Sequence, residues 1–329
     1  MASRGDNPFL NPMVSDWRKL AVCPHGPDSP TFIQRMKFWR SSLEPALLLA
    51  SEAEIRKCSD DPEKGGKRRA VESDKISQPR MLVEVSVHPD TGKIIPLIFR
   101  TPGYLLSGAP LMVSALLPYK SPVTAFISQF FFQTYNVGFT ATHRNRSLTD
   151  SSNPSQNPLY LSATSLLLAA AGASPIYMMK KLKVTTKTQS FVSRLVPPPL
   201  FALLGGMNVL LMRIAEREEG IQVVDAAGNI VGVSRKAGKK AVNETALSRS
   251  ALFGVTALVP LLVRRSPIML ENPGVFVVMK SLIAALTYGI MIQASFGLFP
   301  QHGKIKRDDL EDDLKDKTTE SDLFYHRGL

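Results

Sequence analysis

PLYLSATSLLLAAAGASPIYMM, Pro158–Met179, runs for 22 residues without a charged side chain. Crossing about 30 Å of hydrocarbon takes roughly 20 apolar residues as a helix, so this stretch is long enough to span a bilayer. Its Ala169–Ser174 run is small enough to let a neighbouring helix approach closely. Similar stretches lie on both sides of it. Gly103–Pro118 is uncharged but short, Leu195–Met212 reads LVPPPLFALLGGMNVLLM, and Val275–Phe299 is interrupted only by Lys280. Ala251–Val263 is apolar and extends back through Arg249 to Ala246. Together they predict an all-α integral membrane protein with about five transmembrane helices, near 103–118, 158–179, 195–212, 246–263 and 275–299.

Bulk composition hides this. The chain has 329 residues, 44% of them hydrophobic, and a mean hydropathy of zero. Those averages suit a soluble protein. The division along the chain does not. Residues 1–100 carry 16 Lys/Arg and 13 Asp/Glu and form a polar N-terminal region, residues 101–300 form the multi-span bundle, and 301–329 form an acidic tail with 6 Lys/Arg against 8 Asp/Glu. The segment Lys180–Arg194 has five basic residues and no acid, and Arg264 and Arg265 follow the fourth span. The positive-inside rule places both loops on the inner side, and five spans then put the N-terminus there and the acidic tail opposite. A formal charge of +12 without a basic–aromatic pattern points to anionic lipid and away from nucleic acid.

The polar segments have local signals of their own. Phe32–Leu49 alternates apolar and basic residues, with Phe32, Met36 and Trp39 at helical spacing. It reads as an amphipathic helix on the membrane surface or as a packed helix. Ser51 and Glu54 have the spacing of a helix N-cap. Ser59–Gln78 reads as a solvated loop. Ile221–Val233 reads as a small β-hairpin turning at Asp225–Asn229. The N-terminus lacks the apolar core of a secretory signal, and its acids do not suit a transit peptide, so internal targeting is expected. Cys23 and Cys58 are expected as free thiols.

Val123–Ala141 is uncharged yet carries Gln129, Gln133 and Asn136 at spacings of four and three, on one helical face. It reads either as an interfacial helix or as one that turns a polar face into the bundle. No histidine lies near another or beside a cysteine, so no metal site or cofactor is expected, and no nucleophile or phosphate-binding motif supports an enzyme. His88-Pro-Asp-Thr-Gly92 stands just before the first span. It reads as a turn capped by Asp90 or Thr91, or as a polar contact at the mouth of a pathway.

The blocks Asp28-Ser-Pro-Thr-Phe32, His88–Gly92, Gln129…Gln133…Asn136, Asn145-Arg-Ser147, Asn208…Arg213, Ser248-Arg249 and Phe299-Pro-Gln301 follow one another over nearly the whole chain. In that order and spacing the chain resembles the sideroflexins, a family of mitochondrial inner-membrane proteins. Gly206–Val209, Ser234–Gly238 and the closing Phe324–Gly328 are most similar to one branch of it. The resemblance implies five spans, amino-acid transport with serine as the best-known substrate, and a link to one-carbon and iron metabolism. For that branch it implies a part in respiratory complex I assembly. Three positions depart from the family pattern: Phe130 replaces a Trp, Phe132 an Asn, and Leu210 a Pro. An amide replaced by a ring loses donors and acceptor together, which turns the expectation away from serine.

Two expectations follow. One is an alternating-access carrier of a small amino acid, with His88, Asp90 and Thr91 at the mouth, Gln129, Gln133 and Asn136 on the polar helix, and Asn208 in the third span. The other is a scaffold that assists complex I assembly and iron–sulfur homeostasis through the N-terminal third and the acidic tail.

Overall fold

A computed structural model of the chain describes residues 31–60, 78–145, 157–226, 228–262 and 273–329. Cys23, most of the stretch read as a solvated loop, and Arg264 and Arg265 lie outside those residues.

The long helices begin where the sequence supplies starts. α4 (Thr101–Leu116), α5 (Pro122–His143), α6 (Pro158–Lys181) and α8 (Pro197–Met212) all carry proline in the first turn. There the missing N–H is no loss and φ is preset for a helix. Pro197–Pro199 therefore start a helix and do not break one. α10 (Arg235–Leu262) is capped by Ser234, whose hydroxyl accepts from the Ala237 amide at 3.0 Å. α11 is Pro273–Gly297. Among these, α6, α10 and α11 are long and apolar enough to cross a membrane. A fourth passes that test only jointly with α7 (Thr186–Leu195), from which α8 is bent by 43°. The expected first span is only 16 residues, about 24 Å of helix. The five-span expectation thus reduces to three helices of adequate length and one bent pair.

The doubtful stretch resolves clearly. α5 is helical for 22 residues and turns its polar face inward, with Gln129, Gln133 and Asn136 each at most 4% exposed. α4, α6 and α8 pack around it. The main apolar core lies where α4, α5, α10 and α11 meet, around Tyr104, Phe139, Phe253 and Tyr288. α8 and α10 are in intimate contact. A Cβ on Gly205 would sit 2.3 Å from the Phe253 ring and 2.9 Å from the backbone oxygen of Arg249, so only glycine fits there.

The N-terminal helices depart from one expectation and meet another. α1 (Phe32–Ser42) buries Arg35, Phe38, Trp39 and Ser42, while Phe32 is exposed. It therefore packs into the bundle and does not present a Phe32–Met36–Trp39 face to lipid. Trp39 meets Phe296 edge-on at 5.2 Å, and Arg35 donates to the oxygens of Gly297 and Leu298 at the end of α11. A cation there satisfies carbonyls that the helix leaves open. At the start of α2 (Glu52–Asp60) the Ser51 hydroxyl accepts from the Glu54 amide and the Glu54 carboxylate accepts from the Ser51 amide, a complete capping box. α3 (Gln78–Ser86) leads into the His88 turn.

The Lys180–Arg194 segment, read as a loop, contains α7, whose Phe191 and Leu195 are exposed. The short α9 (Ile214–Glu218) follows α8, and the expected hairpin is present as β1 (Ile221–Val224) and β2 (Ile230–Ser234). The Asp225 carboxylate accepts from the Asn229 amide at the turn. The stretch read as an acidic tail also folds. β3 (His302–Lys306) pairs with β4 (Asp322–His326), and β4 with β1, in a four-stranded antiparallel sheet ordered β2-β1-β4-β3; α12 (Asp312–Lys315) covers it. Leu310, Leu314 and Leu323 form its small core with Ala237 and Ala241 of α10. These leucines alternate with acids, so net charge masked the pattern.

Arg35 on Gly297 brings the N-terminal segment and the end of the last long helix together. The N-terminal segment and the C-terminal sheet thus share one end of the bundle. The expectation put the acidic segment opposite the N-terminus; among the described residues it lies at the same end of the bundle as α1.

Candidate functional site

The sequence-predicted residues fall into two places. His88–Gly92 is a turn at the end of α5. The His88 amide donates to Lys93, the Gly92 amide donates to His88, and Gly92 adopts φ +63°. His88 Nδ1 accepts from the Asp90 amide at 3.2 Å, so Nε2 carries the proton and donates to the Arg144 oxygen at 2.9 Å. His88 is buried, and Asp90 and Thr91 are half-buried. Thr91 accepts from the Lys93 amide. The turn's visible contacts are those of a clasp on the end of α5.

Gln129 lies 14 residues before His143, about 20 Å deeper along α5. From Gln129 a polar stripe climbs back toward the clasp. Gln129 donates to the Ala115 oxygen at 3.2 Å and packs against Gly172 of α6. Asn136 accepts from the Tyr104 hydroxyl at 2.9 Å and donates to Phe132. One turn further, Thr140 donates to Asn208 of α8 at 2.7 Å. The stripe thus gathers Gln129, Gln133, Asn136 and Asn208 along one seam and leaves the His88 turn at its outer end. Gln129 Oε1, Gln133 Nε2 and Asn208 Nδ2 are buried there without hydrogen-bond partners. Buried polar atoms nearly always have partners, so three orphans on one seam need an explanation. Beside it Phe132, one of the three departures named above, is buried against the rings of Phe201 and Phe253.

Beyond the stripe lies a second polar cluster that the sequence reading missed. Arg213 grips Glu216 with two hydrogen bonds, at 2.8 and 2.6 Å, and donates to Thr245 and the Arg327 oxygen. Glu216 also accepts from the amide and side chain of Asn145. The Asn145 side-chain oxygen faces His326 Nδ1 at 3.0 Å, and His326 Nε2 faces the Gln301 amide nitrogen at 3.2 Å. Nδ1 therefore donates, Nε2 accepts, and the ring is neutral. Burial pushes His326 well below the usual histidine range, and the nearby His302, His88, Arg213 and Arg327 act in the same direction. This cluster ties α5, α9, α10 and β4 together.

Arg249 was likewise missed as a site residue. It is 3% exposed on α10, and its guanidinium lies 5.1 Å from the Tyr104 ring, 5.1 Å from Phe139 and 4.6 Å from Phe296. An arginine inside an otherwise apolar helix was the available signal. Among the described residues, no group of three or more His, Cys, Asp or Glu side chains comes together as a metal site.

Long apolar helices packed around an inward-facing amide stripe, closed at one end by a polar network and a small sheet, define a helical-bundle protein. A model of the sideroflexin family matches residues 25–329. The chain is 38% identical to Sideroflexin-4 of Danio rerio over 310 residues, which are 91% of this chain and 96% of that protein. It is 34% identical to Sideroflexin-4 of Bos taurus over 91% of this chain and 96% of that one. Identity to Sideroflexin-5 of Homo sapiens is 29%, over 91% and 90%. The chain belongs to the sideroflexin family. No solved structure matches it.

Proposed function

We propose that this chain is a carrier of a small amino acid in the mitochondrial inner membrane, working by alternating access and without covalent chemistry. The observation that supports it is the seam of orphaned amide atoms on Gln129, Gln133 and Asn208. Membrane proteins keep polar groups inside the bundle where they mark a substrate path. In this reading α6, α8, α10 and α11 cross the bilayer, α8 entering it at the 43° bend from the surface helix α7, and the α4–α5 hairpin lies among them and supplies the polar stripe. The number of crossings is then even, with the N-terminal segment and the sheet on one side. The basic helix α7 lies on the other, along anionic lipid, its exposed Phe191 and Leu195 in the acyl boundary. Phe132 removes a polar contact beside the stripe, which favours a less polar ligand than serine.

Uptake into proteoliposomes across an amino-acid panel tests this. Flux above empty liposomes for at least one member is expected, with serine not the fastest. No flux for any member would sink the proposal and leave the scaffold role in complex I assembly. Crosslinking to assembly-stage subunits in native mitochondria would then test that role.

A further inference from the structure

Six arginines are buried among the described residues: Arg35, Arg100, Arg144, Arg213, Arg249 and Arg327; Glu216 is the one buried acid beside them. Backbone oxygens take up part of this excess. Arg35 donates to Gly297, Arg100 to Ile95 and Arg327 to Phe296, while Arg213 holds Glu216. Arg249 is different. Neither of its terminal nitrogens has a hydrogen-bond partner. The titratable groups around it are Tyr104 on α4, Tyr135 and His143 on α5, Tyr288 on α11, and the cations Arg213 and Arg327. Among the described residues, no acid is one of the groups acting on it. The rings of Tyr104, Phe139 and Phe296 stabilise a cation only in part. A guanidinium does not shed its proton to escape the burial. A buried charge without a partner is strongly unfavourable, so an anion is what this environment lacks.

The chemistry narrows the anion. A planar fork of N–H donors matches a carboxylate with two parallel hydrogen bonds. Arg249 touches the Tyr104 ring, and the Tyr104 hydroxyl donates to Asn136 on the stripe, so the cation stands at the outer end of the amide seam. Asn208 adds a further unpartnered donor on that seam. We propose that Arg249 binds the carboxylate of the carried ligand, so that the ligand class is a small carboxylate, amino acid or simple acid, and not an amine or an amide. This rests on the carrier function proposed above.

The full-length protein, purified in detergent, is melted with matched probes at equal ionic strength: L-alanine against L-alaninamide, L-serine against L-serinamide, and propionate against propionamide. At least one acid is expected to raise the melting temperature while its amide does not. Arg249→Gln should raise the half-saturating concentration by about 10- to 100-fold, the loss expected for hydrogen bonds to a charged group, and Arg249→Lys should restore part of it. Equal protection by acids and amides overturns the proposal. So does an unchanged dose response in Arg249→Gln. The acid–amide comparison needs no variant, so misfolding of either substitution does not spare the proposal. Parallel flux assays separate the two claims. Flux of ligands with no carboxylate preference removes the Arg249 role and keeps the carrier. Acid-specific protection without flux for any probe keeps the Arg249 site and removes the carrier. No protection and no flux counts against both.

Discussion

The cluster around Glu216 and the seam from Gln129 to Arg249 are both buried, both polar and both built on the same helices. They differ in how completely their hydrogen bonds are made. Around Glu216 both carboxylate oxygens are used, and Arg213, Asn145 and His326 are each engaged more than once. Along the seam, Gln129, Gln133, Asn208 and Arg249 each keep at least one polar atom without a partner. Gln301 Oε1 and the Nε and Nη1 of Arg327, at the edge of the Glu216 cluster, also lack partners, so the contrast belongs to Glu216 and the groups that hold it directly; a saturated centre of that kind fixes one arrangement of the chain. In the proposed carrier reading, the seam with its unfinished hydrogen bonds is the functional region, and the saturated centre at Glu216 is structural.

The contrast can be broken by substitution. The largest loss of stability is expected at Glu216→Ala, which strands Arg213 in the interior. Removing one partner of a buried ion pair costs about 3–5 kcal/mol, and thermal unfolding of the purified protein should show it. A melting temperature within a degree or two of wild type would mean that the cluster is not structural.

The next effect is pH dependence. His326 is neutral in the fold with its pKa pushed well down, whereas an unfolded histidine titrates near 6.5. The unfolded chain then binds the extra proton first. Stability is full above about pH 6.5 and declines as pH falls below it, down to the lowered pKa of the folded state. Melting curves at pH 7.5 and 5.5 should differ, and His326→Asn should shrink the difference. A pH response identical in wild type and variant would remove His326 from the network.

A smaller effect is expected outside both regions. Ser51→Ala opens the capping box of α2 and costs about 1 kcal/mol, read from the melting temperature. The smallest change in stability belongs to the seam. Gln133→Met removes an orphaned donor and should leave the melting temperature within about 1 kcal/mol of wild type, because an unsatisfied polar group is little loss when an apolar one of similar shape replaces it. Proteoliposome flux should nonetheless fall. A large destabilisation with flux intact would reverse the assignment of the two regions.

The sequence disclosed the apolar stretches, the Ile221–Val233 hairpin and the Ser51–Glu54 cap because each rests on local spacing. It also grouped Gln129, Gln133 and Asn136, since helical periodicity alone puts them on one face. It did not disclose β3 and β4. Their alternation is short, and the intervening acids suggested a solvated tail. Nor did it disclose that Asn145, Glu216 and His326 meet, because their partners lie 71 and 181 residues apart in the chain. The His88 turn stayed open for a related reason: its residue types serve a clasp and a binding mouth equally well, and its contact with Arg144 is not visible in the sequence. Arg249 was visible as a charge in an apolar helix. What the sequence did not show was that, among the described residues, no acid is one of the groups acting on it.

The missing side chain at Gly205 has a mechanical consequence. With the α8 backbone seated against the carbonyl of Arg249 itself, sliding α8 along α10 would break their closest contact. They form a single shaft, and Asn208 and Arg249 ride on it at fixed separation. Toward α4 and α11 the shaft meets instead the rings of Tyr104, Tyr288 and Phe296, a contact of side chains and not of backbone. Any movement that opens the seam therefore hinges across those rings and carries both donors together, so that the pair works as one jaw.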